Sequence, residues 1–197
     1  MNAGAAAWAL IVARGWVVYE ISDSSLWVGI VTLAAMIPRV LVTPLSGYLS
    51  DRFDRRSVLA VMFSINLVHN IFLGILILTD NAEIWHLVLL SIVNGSARAS
   101  QMPAGQALIV NLIPRELLLN GIALNQATMH GSRLLGPAAI APLLATAGSS
   151  GAFFLCSGFY AISLILTFRI KTASTGQLAP EKGFLGNVAE GIKSVYK

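Results

Sequence analysis

The sequence predicts an all-α membrane protein, a bundle of six transmembrane helices, and three observations lead there. First, 56% of its 197 residues are hydrophobic and only 11% are charged, against about 45–50% and about 25% in a soluble domain. So few charges cannot build a water-facing surface, and disorder needs the opposite composition. Second, the apolar residues fall into six long runs, each near the roughly 20 residues that cross a 30 Å hydrocarbon core. A transmembrane barrel would instead alternate apolar and polar residues in segments of about ten. Third, Lys and Arg occupy alternate connections between the runs, the signature of multi-pass topology. The single cysteine, Cys156, excludes a scaffold of internal disulfides.

The first helix is expected over 3–21 and ends at Ser22-Asp23-Ser24. No charged n-region or cleavage site precedes Trp8, so a signal peptide is not expected. The run starts almost at residue one without a basic flank, which suggests a shortened natural N-terminus. The second helix, 26–50, contains Pro38 and Pro44 and ends at Asp51-Arg52-Phe53-Asp54-Arg55-Arg56. The third, 57–79, stops at Asp80-Asn81-Ala82-Glu83. The fourth and fifth, 84–110 and 117–147, flank Pro114-Arg115-Glu116. Both exceed a minimal span, so tilt or protrusion into the cytoplasm is expected. Gly148-Ser149-Ser150-Gly151 is expected as the turn into the sixth helix, 150–170.

Residues 1–170 thus form the membrane bundle, and 171–197 are expected as a cytoplasmic linker. There Phe184, Val188, Ile192 and Val195 recur at helical spacing, with Glu190, Lys193 and Lys197 on other faces. That pattern fits an interfacial amphipathic helix, or the approach to a further membrane helix.

Orientation follows from the cations. Arg52, Arg55, Arg56 and Arg115 lie in two connections, and Arg169, Lys171, Lys182, Lys193 and Lys197 at or beyond the sixth helix. The other connections hold Asp23, Asp80 and Glu83 but no Lys or Arg. Both ends are therefore expected in the cytoplasm. The net charge of +4 reports this topology and implies the lipid bilayer, not nucleic acid, as partner.

Gly47-Tyr48-Leu49-Ser50-Asp51-Arg52-Phe53-Asp54-Arg55-Arg56 is the most specific stretch. It resembles the signature loop of the major facilitator superfamily: Gly, three residues, Asp, a basic residue, any residue, Gly, then two basic residues. Asp54 stands where that pattern has glycine, and aspartate also suits turns. Trp16–Ser22, Pro38, Pro44-Leu45-Ser46-Gly47, Pro103–Leu108, Ile113-Pro114-Arg115-Glu116, Asn120, Ala123-Leu124-Asn125 and Arg133–Pro137 extend the likeness over nearly the whole chain. They resemble the bacterial branch of enterobactin exporters and macrolide efflux pumps. Gly136-Pro137 resembles the core of the antiporter motif of the fifth helix. Ser91 stands where many proton-coupled drug pumps carry an arginine.

The resemblance implies the N-terminal six-helix half of a twelve-helix carrier, made of two inverted three-helix repeats, with the substrate site between the halves. It implies alternating-access efflux of amphiphilic small molecules, of drug or siderophore type, across a bacterial cytoplasmic (inner) membrane. A missing C-terminal six-helix half is the implied partner, and protons are the candidate coupling ion. Gly47, Asp51, Arg52, Arg55 and Arg56 become the candidate gating motif: Asp51 with Arg52 and Arg56 would latch the cytoplasmic side in the outward-open state.

Four arginines fall inside the spans: Arg14, Arg39, Arg98 and Arg133. An arginine at the bilayer centre costs about 2.5–3.5 kcal/mol on insertion scales, so each should face protein or a water-filled cavity. Each has two readings, a cavity or coupling residue and a structural cap on backbone carbonyls. Arg39, after Pro38, and Arg98, within reach of the cytoplasm, lean structural; Arg14 and Arg133 stay open. No carboxylate lies well inside a span, Glu20 coming nearest. His130 is a candidate proton carrier and His69 a weaker one, although a lone helical histidine is more often simply packed. Gly95, Ala99 and Pro103, like Ser132 and Gly136, recur every four residues and allow close helix packing. Trp27 and Trp85 suit an outer aromatic belt; Trp8 and Trp16 suit a cavity wall.

Two other classes compete. The membrane domain of an ATP-driven transporter would have long cytoplasmic extensions, whereas these connections are short, and no phosphate-loop motif occurs. A membrane-embedded enzyme would need clustered catalytic groups, and neither His-Glu-x-x-His nor grouped intramembrane carboxylates occur. No catalytic residue, metal site or cofactor is expected.

Overall fold

Long apolar runs bounded by turn residues become long helices because, in lipid, every backbone N–H and C=O must be satisfied within its own segment. The computed structural model describes residues 2–170, without the side chains of 47–51 inside a helix. The helices are α1 (Asn2–Ser22), α2 (Ser25–Arg52), α3 (Arg55–Leu78), α4 (Ile84–Leu112) and α5 (Leu118–Arg169), with a 3-10 turn at Arg115–Leu117 before α5. Their ends match the sequence expectation to within two residues. The expected linker and amphipathic helix over 171–197 lie outside the described residues.

One boundary differs. Only Gly148 leaves helical geometry, at φ 67° and ψ −175°, whereas Ser149, Ser150 and Gly151 remain helical. That backbone region is reached essentially by glycine alone, so one residue does the work expected of four. It divides α5 into arms 118–147 and 149–169. Asp23 and Asp80, at φ 47° and 54°, make the other turns at this end. Aspartate's short polar side chain tolerates the left-handed region.

The segments alternate in direction. Arg14 of α1 meets Ser91 and Asn94 of α4, while Ala7 meets Arg98, so α1 and α4 run antiparallel. Gly74 lies against Phe154 and Arg56 reaches Phe168, so the second arm of α5 runs antiparallel to α3. Gly136 packs on Ala5 and Ser149 bonds Glu20, so the first arm runs parallel to α1. Residues 2 and 170 therefore lie at the same end of the bundle, together with Arg52, Arg55, Arg56 and Arg115. Asp23, Asp80 and Glu83 mark the opposite end.

Leu10, Val17, Leu73, Leu87, Ile140 and Phe153 form the centre of the core. Two glycines set its tightest crossings. A Cβ on Gly95 would sit 2.2 Å from the Ala35 carbonyl oxygen, and one on Gly136 would sit 2.4 Å from that of Ala5. Small residues bring α4 onto α2 and α5 onto α1, which matters in lipid because packing there drives helix association. By length and apolarity α1, Ser25–Ser46 of α2, α3 and Gly148–Arg169 qualify as membrane spans. The remaining two segments, α4 and the first arm of α5, complete the alternation. The protein is a multi-pass, all-α membrane bundle.

Candidate functional site

Asparagine and arginine inside a membrane bundle need partners, because nothing in hydrocarbon replaces water. Arg14, on α1, is only 5% exposed. Its Nη1 donates to Ser91 Oγ at 2.7 Å and its Nη2 to Asn94 Oδ1 at 3.0 Å. Asn94 Nδ2 in turn donates to Asn66 Oδ1 on α3. Asn66 Nδ2 donates to the Met62 carbonyl at 2.9 Å, and Asn70 Nδ2 to the Asn66 carbonyl at 2.7 Å. All three asparagines are fully buried. One polar chain thus joins α1, α4 and α3, and the Arg14 cation is held by neutral oxygens.

Two further arginines, Arg98 of α4 and Arg39 of α2, are part-buried in the bundle. Arg98 Nη1 donates to the Ala7 carbonyl at 3.2 Å, pinning α4 to α1. Arg39 is half-buried beside buried Pro38, and its Nε has no hydrogen-bond partner. The buried Tyr160 hydroxyl likewise makes no hydrogen bond. The bundle interior is therefore electropositive, and no Asp or Glu of α3, α4 or α5 offsets it. Sequence reasoning missed the asparagine ladder. Its signal was Asn66 and Asn70, one turn apart in an otherwise apolar run, with Asn94 at a similar depth in α4.

Arg133 and His130 belong to a different surface. Both are exposed on the first arm of α5. The Arg133 guanidinium carbon lies 5.0 Å from the centroid of the Trp8 ring, within cation–π range. Trp8 is half-buried. From it Val12 (40% exposed), Trp16 (58%) and Tyr19 (54%) continue along the same stripe of α1. Gly136, one turn beyond Arg133, is buried against α1, and Pro137 is half-buried. His69 is buried in α3, away from this stripe. Trp27 and Trp85 line an open apolar cavity of about 680 Å³ at the acidic end of the bundle, with Ile21 and Val88.

At the basic end, Asp54 caps α3. Its carboxylate accepts the Ser57 N–H at 3.1 Å and the Ser57 hydroxyl at 2.9 Å, satisfying a free donor of the first turn. Its φ of −59° is open to any residue, which is why the chain can dispense with a glycine there. Arg55 Nη1 donates to the Ala107 carbonyl at 3.3 Å and Arg56 Nη2 to the Phe168 carbonyl at 2.8 Å. These two arginines tie the start of α3 to α4 and to the end of α5. Gly47 and Arg52 lie in the last turns of α2, and the Asp51 side chain lies outside the described residues. Among the described residues no three His, Cys, Asp or Glu side chains gather into a metal site.

Known proteins match this chain over most of its length. A family model described as "Transmembrane secretion effector" matches residues 1–196. The chain is also 23% identical, over 150 residues, to a Bacillus subtilis (strain 168) protein named "Uncharacterized MFS-type transporter YfiS". The match covers 76% of this chain and 35% of that protein, so the chain spans about a third of the length of the curated relative it matches.

Proposed function

This chain belongs to the transmembrane secretion effector family of major facilitator transporters, and on that premise we propose that it is the N-terminal half of a secondary transporter. It works by alternating access and exports amphiphilic small molecules across a bacterial cytoplasmic membrane, with both ends of the chain in the cytoplasm. One observation carries the reading: Arg133 is exposed about halfway along the first arm of α5. It is roughly 21 Å from either end of that arm, at about 1.5 Å per residue. A cation facing lipid there would cost up to about 2.5–3.5 kcal/mol, the figure for the bilayer centre. Its face therefore meets a second six-helix half, a water-filled path, or both. The sorting of Arg52, Arg55, Arg56 and Arg115 to one end and Asp23, Asp80 and Glu83 to the other supports the orientation.

In this reading the basic end is the cytoplasmic gate. Arg55 and Arg56 hold α3 to its neighbours within this half, and Asp51, with Arg52, latches onto the second half. An anion at Asp51 is stabilised by the N-terminus of a facing helix. Gly136 and Pro137 form the tight α5–α1 crossing beneath Arg133, and protons are the coupling ion. The test is transport by the full-length protein in proteoliposomes. Substrate release should saturate and follow an imposed proton gradient, and Asp51→Asn should lower it and open the cytoplasmic side to thiol reagents. Flat substrate dependence would overturn the transporter reading; unchanged transport and accessibility in Asp51→Asn would overturn the latch.

A further inference from the structure

We propose that Arg133 and Trp8 bind the anionic head of the transported amphiphile, whose apolar body lies along the stripe of Val12, Trp16 and Tyr19. The substrate class is thus an aromatic or lipophilic anion bearing a carboxylate, sulfonate or phosphate; the inference rests on the transporter reading above.

Three observations lead to it. The membrane-depth cations, Arg14, Arg39, Arg98 and Arg133, face no Asp or Glu from α3, α4 or α5, and Glu20 at the far end of α1 is already engaged by Ser149 Oγ at 2.9 Å. The interior is therefore positive, and a low-dielectric wall carries that field to the open face. Of the four arginines, Arg14 and Arg98 donate to acceptors within the bundle and Arg39 is half-buried, whereas Arg133 is exposed with the Trp8 ring as its neighbour. With its guanidinium carbon 5.0 Å from the ring centroid, Arg133 keeps N–H donors for a further partner, and the guanidinium fork matches a carboxylate or phosphate. Trp8, Val12, Trp16 and Tyr19 follow at i, i+4, i+8 and i+11, an apolar track of about 16 Å. A cationic head at one end of such a track is complementary to an amphiphilic anion and repels an amphiphilic cation. His130, exposed one turn before Arg133, adds a second donor.

The test is equilibrium binding to the full-length protein in zwitterionic nanodiscs, with empty nanodiscs as blank. The probes are 8-anilinonaphthalene-1-sulfonate, an aromatic anion, and rhodamine 6G, an aromatic cation of similar bulk. The anion should bind saturably. Arg133→Gln should weaken it at least about tenfold, about 1.4 kcal/mol, and Arg133→Lys should recover part of the loss. Trp8→Leu should weaken it too, and rhodamine 6G should not lose affinity in Arg133→Gln. The assignment is overturned if the anion does not bind, if it binds equally well to Arg133→Gln, or if the cation binds the native protein more tightly. Should Arg133→Gln fail to fold, Trp8→Leu and Arg133→Lys decide by the same criteria. An Arg133 that pairs instead with a carboxylate of the second half would leave anion binding untouched while altering transport, which also overturns it. Binding is read without turnover: saturable, Arg133-dependent binding with no transport would fail the transporter reading alone. Transport of cations insensitive to Arg133→Gln would fail the substrate class alone.

Discussion

Replacing Gly95 with alanine adds one methyl group where α4 packs closely on α2. The new Cβ would lie 2.2 Å from the Ala35 carbonyl oxygen, 2.9 Å from its carbon and 3.2 Å from its Cα. All three atoms are backbone, so no rotamer change relieves the contact; α2 and α4 must separate locally by about 1 Å. A gap of that size forfeits a quarter to a half of the dispersion energy of the atoms facing it, and overpacking of this kind costs about 1–3 kcal/mol. Alanine recovers about 0.5–1 kcal/mol over glycine through helix propensity. Gly105 supplies the control, since it lies on the same helix with nothing within 4 Å of its added Cβ. Gly105→Ala should therefore be neutral or stabilising, and the difference between the two variants isolates the steric term. Reversible denaturation of the full-length protein in mixed micelles, followed by tryptophan fluorescence, measures both. Ala35→Gly should not rescue Gly95→Ala, because the obstruction is a carbonyl and not the Ala35 methyl. A Gly95→Ala protein as stable as Gly105→Ala would refute the close crossing.

Two more outcomes follow from the same geometry. Gly148→Ala should destabilise by about 1–3 kcal/mol, the usual cost of a side chain held in such a backbone region, and Gly148→Asn should not rescue it, because ψ near 180° lies outside the left-handed well that asparagine tolerates; thermal midpoints of the purified protein check this. Asn94→Leu should destabilise more than Arg14→Met, because the former strands Arg14 Nη2 and Asn66 Oδ1, at about 1–3 kcal/mol per unsatisfied group, whereas the latter removes the buried charge itself; the same denaturation assay ranks them, and a reversed order would refute the network.

The helices were legible in the sequence because their ends are written in local chemistry. Asp23, Asp80, the run from Asp51 to Arg56 and Gly148 are turn and charge residues in an otherwise apolar chain, and each sits at or within two residues of an observed end. What could not be read was which way a side chain points. In water an amphipathic helix shows its buried face by hydrophobic periodicity, but α1 and α5 are apolar nearly all round, since lipid and core are alike to a leucine. Arg14 and Arg133 thus looked equivalent by depth, and only packing separates them: one enters the bundle toward Ser91 and Asn94, the other lies on its surface against Trp8. The Asn66–Asn94 contact was equally hidden, because it joins positions 28 apart whose meeting depends on how α3 crosses α4. Asp54 shows the opposite case. It departs from the family's glycine, aspartate is expected to suit the turn, and its N-cap geometry makes it a working substitute.

These cross-links bear on how the proposed transport cycle can move. Arg14 and Arg98 tie α1 to α4, Asn94 ties α4 to α3, and Ser46 meets Ser100 Oγ to Oγ at 2.7 Å between α2 and α4. Arg56 and Ser149 tie α5 to α3 and to α1. A hinge among α1, α2, α3 and α4 would break a buried bond whose polar groups find no replacement in lipid, so these helices resist bending against one another. The low-cost motion left to them is rocking as one body against a second half. That assigns the work of the cycle to the surface the ties leave alone. There Arg133, exposed beside the Trp8 ring, is the cation placed to exchange one partner for another as the two halves rock.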